Sequence, residues 1–331
     1  MTIIIPMYNM EKYIDQCLSS LCFGEGMERM EVLVINDGSK DNCLAIAHDY
    51  EVRYPQTFRV IDKENGNYGS CINRGVAEAT GKYIRVLDAD DFYATKNLPD
   101  FVKFLQGADL DMVYTKFSRV DECGNVIWRS RVLRMAGTVY GLSDLYPRLH
   151  MAMHNITYRT EVLRRIAYRQ TEGISYTDQE WIFLPMAFVE RWQYYPEFIY
   201  VYRSEREGQT MSPERIVRDI DQEMQGMMVM VNHYERLKTG LSSEQKGYLK
   251  NRLMTRARLI YKRFLLAYYK ELKPCMSKLV NMDEDIRKLS PEIWEEMENV
   301  CFHISVFKYR FIRNWRKSGY NGDLWGLRFK R

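Results

Sequence analysis

The sequence predicts an α/β protein: a doubly wound, mainly parallel sheet with helices on both faces, followed by a helical C-terminal region. Short apolar runs rich in β-branched residues alternate with amphipathic helical patterns in the first third of the chain, which is typical of strands buried on both faces. From Pro213 onward turn signals become rare and helical patterns dominate. Because 331 residues suffice for two domains, we place these at residues 1–212 and 213–331.

The predicted elements follow in order. The first strand covers 2–5 and should stop at Pro6, and Asn9 is a candidate N-cap for a helix from Met10 to Leu21. The next strands are predicted at 31–36, 58–61, 83–87 and 111–114, with helices ending near 54, 79 and 106 between them. A hairpin is predicted through 121–125.

Composition narrows the class of protein. An apolar content of 46% and a charged content of 28% are ordinary for a soluble globular protein, and no apolar run approaches the length of a membrane span. The seven cysteines are scattered without a Cys-x-x-Cys pair, which argues against a zinc site or a disulfide frame. With no basic-then-apolar leader, we expect a cytoplasmic protein.

The positive charge is concentrated at the end of the chain. Residues 301–331 hold eight basic side chains and one acidic one, a charge of +7, so the preceding residues carry −3 of the total +4. A helical stripe of apolar side chains is predicted there, opposite a basic face, and is formed by Ile304, Phe307, Phe311 and Trp315. Such a helix either holds the protein peripherally against an anionic membrane or docks its stripe on the protein body. The acidic body argues against nucleic acid binding.

Three carboxylates, Asp88, Asp90 and Asp91, follow the strand predicted at 83–87. Ligands of open α/β sheets bind outside the carboxyl ends of the strands. Residues two apart in an extended chain point the same way, so Asp88 and Asp90 can face one ion. Carboxylate oxygens suit Mn²⁺ or Mg²⁺, which bind together with substrate phosphates. The alternative is a polar turn in which Asp91 begins a helix.

Four segments, at 3–13, 34–41, 73–83 and 87–91, follow one another in order at predicted strand ends and in the intervening helix. They read IIIPMYNMEKY, VINDGSKD, NRGVAEATGKY and LDADD. Together they resemble the family 2 glycosyltransferases of the GT-A fold, of the bacterial cell-surface polysaccharide type, over roughly residues 1–210. The resemblance implies a nucleotide-sugar donor, expected to be UDP-linked, and Mn²⁺ or Mg²⁺ as cofactor.

The resemblance also implies roles for particular residues. Tyr8 offers a flat face to a nucleobase, and Asp37 can accept a hydrogen bond from a uracil-type N–H. The implied donor-binding residues are Pro6, Tyr8, Asp37, Asn73 and Asp88, and the implied metal ligands are Asp90 and Asp88. The family often has arginine before the asparagine, but here Ile72 stands there. Neutralising the donor diphosphate should therefore depend more on the metal, with Arg74 or Arg203 as further candidates.

Asp178 is the candidate general base, in a segment where many family members have Glu-Asp and this chain has Thr177-Asp178. Thr177-x-x-Glu180 before an apolar run is the pattern of a capping box, which gives Glu180 a structural role. Asp178 then lies in the first helical turn, where the macrodipole favours its charged form. The alternative is a helix-starting acid without catalytic function.

Other candidates lie on the acceptor side. His154 is predicted to be an acceptor-side or packing residue, because His150 and His154 have no third ligand placed with them for a metal site. Arg203 and Gln209 belong to a segment that resembles the loop closing over donor and acceptor, although an ordinary charged surface loop would look the same. Glu180 is the alternative to Asp178 as base.

The sequence thus predicts an inverting, metal-dependent glycosyltransferase that moves a sugar from a nucleotide diphosphate to a hydroxyl of a glycan or lipid-linked glycan. A nucleotidyltransferase would need a glycine- and lysine-rich loop after the first strand, and residues 6–9 do not form one. A catalytically silent scaffold or glycan-binding protein in a polysaccharide assembly complex is the alternative. The intact Asp88, Asp90 and Asp178 argue against it.

Overall fold

The computed structural model describes residues 1–132, 134–145, 152–204, 213–304 and 307–320. The chain divides into two compact units, Met1–Gln209 and Thr210–Arg331. The predicted boundary at 212 falls among residues 205–212, which lie outside the described residues.

Among the described residues, the first unit contains one mixed sheet of ten strands. In chain order the strands are β1 Thr2–Met7, β2 Glu31–Asn36, β3 Phe58–Asp62, β4 Tyr83–Val86, β5 Phe92–Tyr93, β6 Met112–Val120, β7 Val126–Arg129, β8 Val139–Tyr140, β9 Ile156–Arg159 and β10 Trp192–Arg203. The helices are α1 Ile14–Ser19, α2 Cys43–Arg53, α3 Asn67–Glu78, α4 Leu98–Gly107, α5 Thr160–Arg165 and α6 Asp178–Trp181.

The strand order of the sheet is β3-β2-β1-β4-β9-β6-β10-β5. The strands β3, β2, β1 and β4 are parallel, and β6 is parallel to β10. The short strand β9 lies antiparallel between β4 and β6, and β7 pairs with β6 as the predicted hairpin. The predicted α/β class with a mainly parallel, doubly wound sheet is therefore confirmed, and β9 is the inserted element that the sequence did not show.

The core of this unit forms as the apolar runs predict. Ile3, Ile4 and Ile5 are fully buried, as expected for a strand covered on both faces. Helix α3 packs directly on β1, because a Cβ atom at Gly75 would lie 2.5 Å from the Ile4 side chain. The absence of a side chain at Gly75 therefore sets the distance between helix and sheet.

Two predictions at the end of β1 are wrong. The strand continues through Pro6 to Met7, because β4 has register partners only for residues 2–4 and the missing N–H of Pro6 faces that unpaired side. Asn9 does not cap a helix, since α1 begins at Ile14. Asn9 instead has a left-handed φ of 53°, and its side-chain oxygen accepts a hydrogen bond from the Lys40 N–H at 2.8 Å.

The second unit is largely helical, as predicted. Its helices are α7 Pro213–Arg218, α8 Ile220–Leu237, α9 Ser243–Lys262, α10 Tyr269–Leu272, α11 Met276–Leu289, α12 Pro291–Glu296 and α13 Phe311–Lys317, with a π-helical segment at Arg263–Ala267. Two strands, β11 Phe302–Ile304 and β12 Phe307–Tyr309, form an antiparallel pair before α13. Over the parts of the chain that the structure describes, every helix is too short or too polar to cross a bilayer.

The predicted single helical stripe at the end of the chain is wrong. Residues 302–304 and 307–309 are strands, and only Phe311 and Trp315 of the stripe lie on a helix, where both are buried. The guanidinium of Arg316 lies against the buried Asp283, with Nη2 at 2.7 Å from Oδ1, and 3.9 Å from the Trp294 ring centroid. Helix α13 is thus docked within its own unit.

We expect Arg316→Met to lower the free energy of unfolding by about 3 kcal/mol or more, because the variant leaves the buried Asp283 carboxylate without its counter-charge. The exposed neighbour variant Lys317→Met should change it by less than about 0.5 kcal/mol. Urea unfolding followed by tryptophan fluorescence measures both. Adding Asp283→Asn to Arg316→Met should recover part of the loss, and equal stabilities of the two single variants would contradict this account.

Candidate active site

Asp88 and Asp91 lie just beyond β4, at the sheet edge where β1 and β2 also end. The Tyr68 hydroxyl donates to Asp88 Oδ1 at 2.8 Å, and the Tyr200 hydroxyl donates to Asp91 Oδ2 at 2.5 Å. The backbone N–H of Arg203 donates to Asp91 Oδ1 at 2.7 Å. Donors from α3 and β10 therefore fix the positions of both carboxylates.

The chain turns between Asp88 and Asp91, since the Asp91 N–H donates to the Asp88 carbonyl at 2.9 Å. A carboxylate oxygen of each residue and a ring nitrogen of His154 lie within 4.8 Å of one another. The extended-chain premise behind the predicted Asp88–Asp90 pair is wrong, because a turn brings residues three apart together. Asp90 is outside this group, and its role as a metal ligand stays a prediction.

The pKa values of both carboxylates are raised. Burial raises the pKa of Asp88 to about 7, together with the negative charges of Asp90 and Asp178. Burial and the charges of Asp90 and Asp88 raise the pKa of Asp91 well above its ordinary range. Ionising both groups at neutral pH therefore needs an added positive charge. Carboxylate oxygens suit Mn²⁺ or Mg²⁺, so Asp88 and Asp91 fit the metal that the resemblance implies, with a His154 ring nitrogen beside them as a third ligand atom.

Arg85 on β4 is a fully buried cation that holds the chain around His154. Its guanidinium donates to the hydroxyls of Thr157 at 3.0 Å and Thr115 at 2.9 Å, and to the His154 carbonyl. Burial lowers the pKa of Arg85. These bonds connect β4 to the turn Met153–Asn155 and to β9, so Arg85 positions His154.

The predicted donor residues Pro6, Tyr8 and Asp37 lie at the ends of β1 and β2. The Tyr8 side chain is 44% exposed, whereas Asp37 is buried. Asp37 Oδ1 accepts hydrogen bonds from Lys63 Nζ at 2.6 Å and from the Gly66 N–H at 2.9 Å. The loop before α3 thus fixes Asp37, and an exposed aromatic ring lies at the same sheet edge.

Asn73 connects α3 to the segment that precedes the candidate base. Its Nδ2 donates to the Gln170 carbonyl at 2.8 Å, and its Oδ1 accepts from the Gln170 N–H at 2.7 Å. A Cβ at Gly69 would lie 1.9 Å from the Thr171 carbonyl oxygen, so only glycine permits this approach. Asn73 therefore has a structural role, and direct contact with a donor stays a prediction.

Asp178 begins α6, at the predicted place. The predicted capping box is wrong, because Thr177 has helical dihedral angles and its side chain makes no capping bond. The Thr177 hydroxyl accepts from Gln170 Nε2 at 2.8 Å, and Glu180 Oε2 accepts from the Thr171 N–H at 2.9 Å. Both side chains hold the preceding loop in place. The buried Glu180 thus has a structural role, and its role as alternative base stays a prediction.

Arg203 is a buried residue at the end of β10 and not part of an exposed loop. Its Nε donates to the Asp90 carbonyl at 3.1 Å, and its guanidinium donates to Gln16 Oε1. Arg203 therefore joins β10 and α1 to the acidic turn. Gln209 and His150 lie outside the described residues.

Sequence reasoning missed several contributors to this site. Asp91 is one of the three carboxylates that follow the strand. A predicted turn at this point, in place of an extended segment, would have paired Asp88 with Asp91. Tyr68 follows the glycine-containing turn at 64–66. That turn predicts the start of α3, but it does not indicate which group the Tyr68 hydroxyl contacts. Tyr200 and Arg85 carry no local signal, because only strand pairing brings them to the site.

The geometry suits binding of a cation–phosphate group and proton transfer. The group Asp88, Asp91 and His154 can hold a divalent ion at a sheet edge. Asp178 is a separate carboxylate whose charge acts on Asp88, so it lies within electrostatic reach of that group. A carboxylate in that position can accept a proton from a substrate hydroxyl.

Comparison with known proteins agrees with this chemistry. Residues 2–167 match the family model described as "Glycosyl transferase family 2". The uncharacterized glycosyltransferase EpsJ of Bacillus subtilis is 28% identical over 243 residues, which are 70% of this chain and 70% of EpsJ. Chondroitin synthase of Escherichia coli is 35% identical over 131 residues, which are 38% of this chain and only 18% of that protein.

Two solved structures share the fold. TarS 1-349 of S. aureus, in complex with UDP-GlcNAc, has a TM-score of 0.66 at 20% identity and covers 89% of this chain and 83% of its own. The mannosyltransferase PcManGT of Pyrobaculum calidifontis, in complex with GDP-Man and Mn²⁺, has a TM-score of 0.51 at 16% identity, with coverage of 89% and 83%. The predicted GT-A fold is confirmed, and the chain belongs to glycosyltransferase family 2.

Proposed function

We propose that this glycosyltransferase is inverting and metal-dependent, and that it transfers a sugar from a UDP-linked donor to a hydroxyl of a glycan or lipid-linked glycan. The observation that carries the proposal is the group Asp88, Asp91 and His154, with Asp178 within electrostatic reach. Transfer from a nucleotide diphosphate needs positive charge at the leaving group and a base at the acceptor. Asp88, Asp91 and His154 can hold the cation that supplies the positive charge, and Asp178 can act as the base.

UDP as the nucleotide is supported by the residues at the ends of β1 and β2. The exposed Tyr8 ring offers a face on which a base can stack, and Asp37 can accept from a uracil N–H. TarS was solved with UDP and with UDP-GlcNAc, whereas PcManGT was solved with GDP-Man. The TarS complexes therefore favour UDP over GDP for the present chain.

Neutralising the negative charge of the donor diphosphate depends mainly on the metal. Ile72 offers no charge, Arg74 pairs with Glu78 at 2.9 Å, and Arg203 is bonded to the acidic turn. When bound, a divalent cation supplies positive charge to phosphate oxygens. Asp88, Asp91 and His154 would hold it, while the tyrosine hydroxyls keep the carboxylates oriented.

Asp178 is the proposed base. Its carboxylate takes the proton of the acceptor hydroxyl as the acceptor oxygen bonds to the anomeric carbon. The bond from that carbon to the phosphate oxygen breaks on the opposite side, the nucleoside diphosphate leaves with the electron pair, and the anomeric configuration is inverted. Asp178 begins the short helix α6, so the backbone of that turn fixes its position.

We retain a cytoplasmic location as part of the proposal, in keeping with a role in polysaccharide biosynthesis. Binding to a membrane by inserted aromatic side chains is not proposed, because Phe311 and Trp315 are buried. A weak electrostatic contact through Arg310 and Lys317, which are exposed, is compatible with the structure. Each such cation near an anionic surface contributes on the order of 1 kcal/mol.

We expect UDP to bind at least about tenfold more tightly with Mn²⁺ than with chelator, and Asp91→Asn to remove most of this difference. Asp90→Asn should leave it largely intact, because the structure groups Asp91 with Asp88 and His154. Isothermal calorimetry measures both, with the exposed Asp100→Asn as control. Equal UDP affinity with and without metal would refute the metal dependence. If only Asp90→Asn removes the effect of Mn²⁺, the metal ligands are Asp88 and Asp90, as the sequence predicts.

The raised pKa of Asp88 predicts how stability depends on pH in chelator. Between about pH 4 and its value of about 7, the folded protein binds more protons at this carboxyl than the unfolded chain. Stability from this group is therefore present at low pH and is lost as the pH rises to about 7. Melting temperatures should fall less steeply over this range in Asp88→Asn than in the wild type. Parallel slopes for the two proteins would contradict the assignment, and Asp100→Asn again serves as control.

Asp178→Asn should reduce turnover by about 10²-fold or more, since the amide cannot accept the acceptor proton. UDP affinity should stay within about twofold, because Asp178 is not among the proposed donor or metal contacts. Turnover is measured as UDP release from the UDP-sugar that the wild-type protein uses fastest, with the exposed Glu161→Gln as control. Near-normal turnover would assign the base elsewhere, and retention of the donor's anomeric configuration in the product would refute single displacement.

A further inference from the structure

A row of three side chains crosses the sheet beside the site. In the strand registers, Tyr202 of β10 is paired with Arg119 of β6, and Arg119 is paired with Trp128 of β7. The Arg119 guanidinium carbon lies 5.6 Å from the Tyr202 ring centroid and 5.2 Å from the Trp128 ring centroid. A cation thus lies between two aromatic rings on one face of the sheet.

This row continues the wall of the candidate active site. Tyr200 and Phe117 form the preceding cross-strand pair on the same strands, and Tyr200 bonds to the metal-site carboxylate Asp91. The His154 ring lies 4.9 Å from the Tyr202 ring and 5.5 Å from the Phe117 ring, and the Phe117 ring lies 5.0 Å from the Trp128 ring. Aromatic contacts therefore run without a break from His154 to Trp128.

The exposure of the row increases away from the carboxylates. Tyr200 and Phe117 are buried and Tyr202 is half-buried, whereas Trp128 is 41% exposed and Arg119 is exposed. Among the residues that the structure describes, Arg119 forms no ion pair with a carboxylate. An exposed tryptophan beside an exposed cation is a common feature of binding surfaces.

We propose that Tyr202, Arg119 and Trp128 bind the acceptor glycan, an inference that rests on the proposed function. A sugar ring has an apolar C–H face and a rim of hydroxyls. The ring of Trp128 covers such a face, and the Arg119 guanidinium donates hydrogen bonds to the hydroxyl oxygens beside it. The glycan would lie along the row, with the sugar that carries the reacting hydroxyl at the end nearest Tyr202 and His154.

The spacing also specifies the size of the acceptor. The row lies two residues beyond the Tyr200–Phe117 pair, about 7 Å along the strands, and Trp128 lies two strands from Tyr202, about 10 Å across. A single sugar ring cannot reach from the carboxylates to Trp128. The row therefore favours an oligosaccharide over a monosaccharide acceptor.

Binding to a glycan array tests the proposal with the full chain, UDP and Mn²⁺. The array carries bacterial surface polysaccharide fragments from mono- to tetrasaccharides. Wild-type protein should bind oligosaccharides, Trp128→Ala should bind them about tenfold or more weakly, and Trp128→Phe should retain most of the binding because a flat ring remains. Val126→Ala is the matched control, since Val126 is 48% exposed and is paired with Val120, which faces the side of β6 opposite to Arg119.

The same preparations are assayed for UDP affinity by calorimetry, which should stay within about twofold in every variant. Unchanged glycan binding by Trp128→Ala, equal losses in Val126→Ala, or no oligosaccharide bound by the wild type would overturn the proposal. Equal losses would instead indicate that a change in β7 as a whole, and not loss of the Trp128 ring, weakens binding. If Trp128→Ala does not fold, Arg119→Met decides in its place and should also weaken binding. Glycan binding without UDP binding would refute the proposed donor and leave the acceptor row standing.

Discussion

The rest of the site depends on burying two carboxylates next to each other at the end of β4. Taking a charged group out of water is costly unless donors or counter-charges replace the water. Tyr68 from α3 and Tyr200 from β10 supply hydroxyl donors, and the Arg203 N–H supplies a third. These neutral donors compensate only in part, because the pKa of Asp88 remains raised to about 7. The remaining deficit of positive charge is the physical reason to expect a cation between Asp88, Asp91 and His154. Helix α3 and strand β10 are thus needed at the same sheet edge. This requirement links the parallel part of the sheet, where the proposed donor-binding residues lie, to its mixed part.

The parallel half of the sheet could be predicted from the sequence, because strands covered on both faces are continuous apolar runs and their polar ends must meet at one edge. The mixed half could not. Strand β9 covers four residues, and its insertion between β4 and β6 depends on pairing with strands about 75 and 44 positions earlier in the chain. That insertion brings His154 to Asp88, which no spacing along the chain indicates. The capping pattern at Thr177 and Glu180 failed because both side chains bond to the preceding loop, at Gln170 and Thr171, and not to the backbone of the helix.

The end of the chain shows the same limit of local patterns. The apolar character of Phe311 and Trp315 was apparent from periodicity, but their partner was not. The buried Asp283 on α11 accepts hydrogen bonds from Arg316 and from the Trp294 indole N–H at 2.9 Å. A basic residue that looks solvated in the sequence is therefore the counter-charge of a buried acid. An amphipathic stripe predicts that one face is covered, and only the three-dimensional position of a group such as Asp283 determines whether protein or lipid covers it.

Strand β10 connects the two halves of the proposed reaction. Tyr200 holds Asp91 of the proposed metal site, Tyr202 begins the proposed acceptor row, and Arg203 holds the acidic turn. Because side chains alternate along a strand, Tyr200 and Tyr202 face the same side, and the register of β10 determines which side that is. Between Tyr195 and Tyr200 the register with β6 shifts twice, so that five steps on β10 match two on β6. Strand β10 thus has three more residues than β6 in this segment. Because three is an odd number, the bulges reverse which of the alternating β10 side chains face the site. The bulged segment before Tyr200 therefore sets the orientation of the metal-site donor and of the acceptor row together, so that a change in one displaces the other.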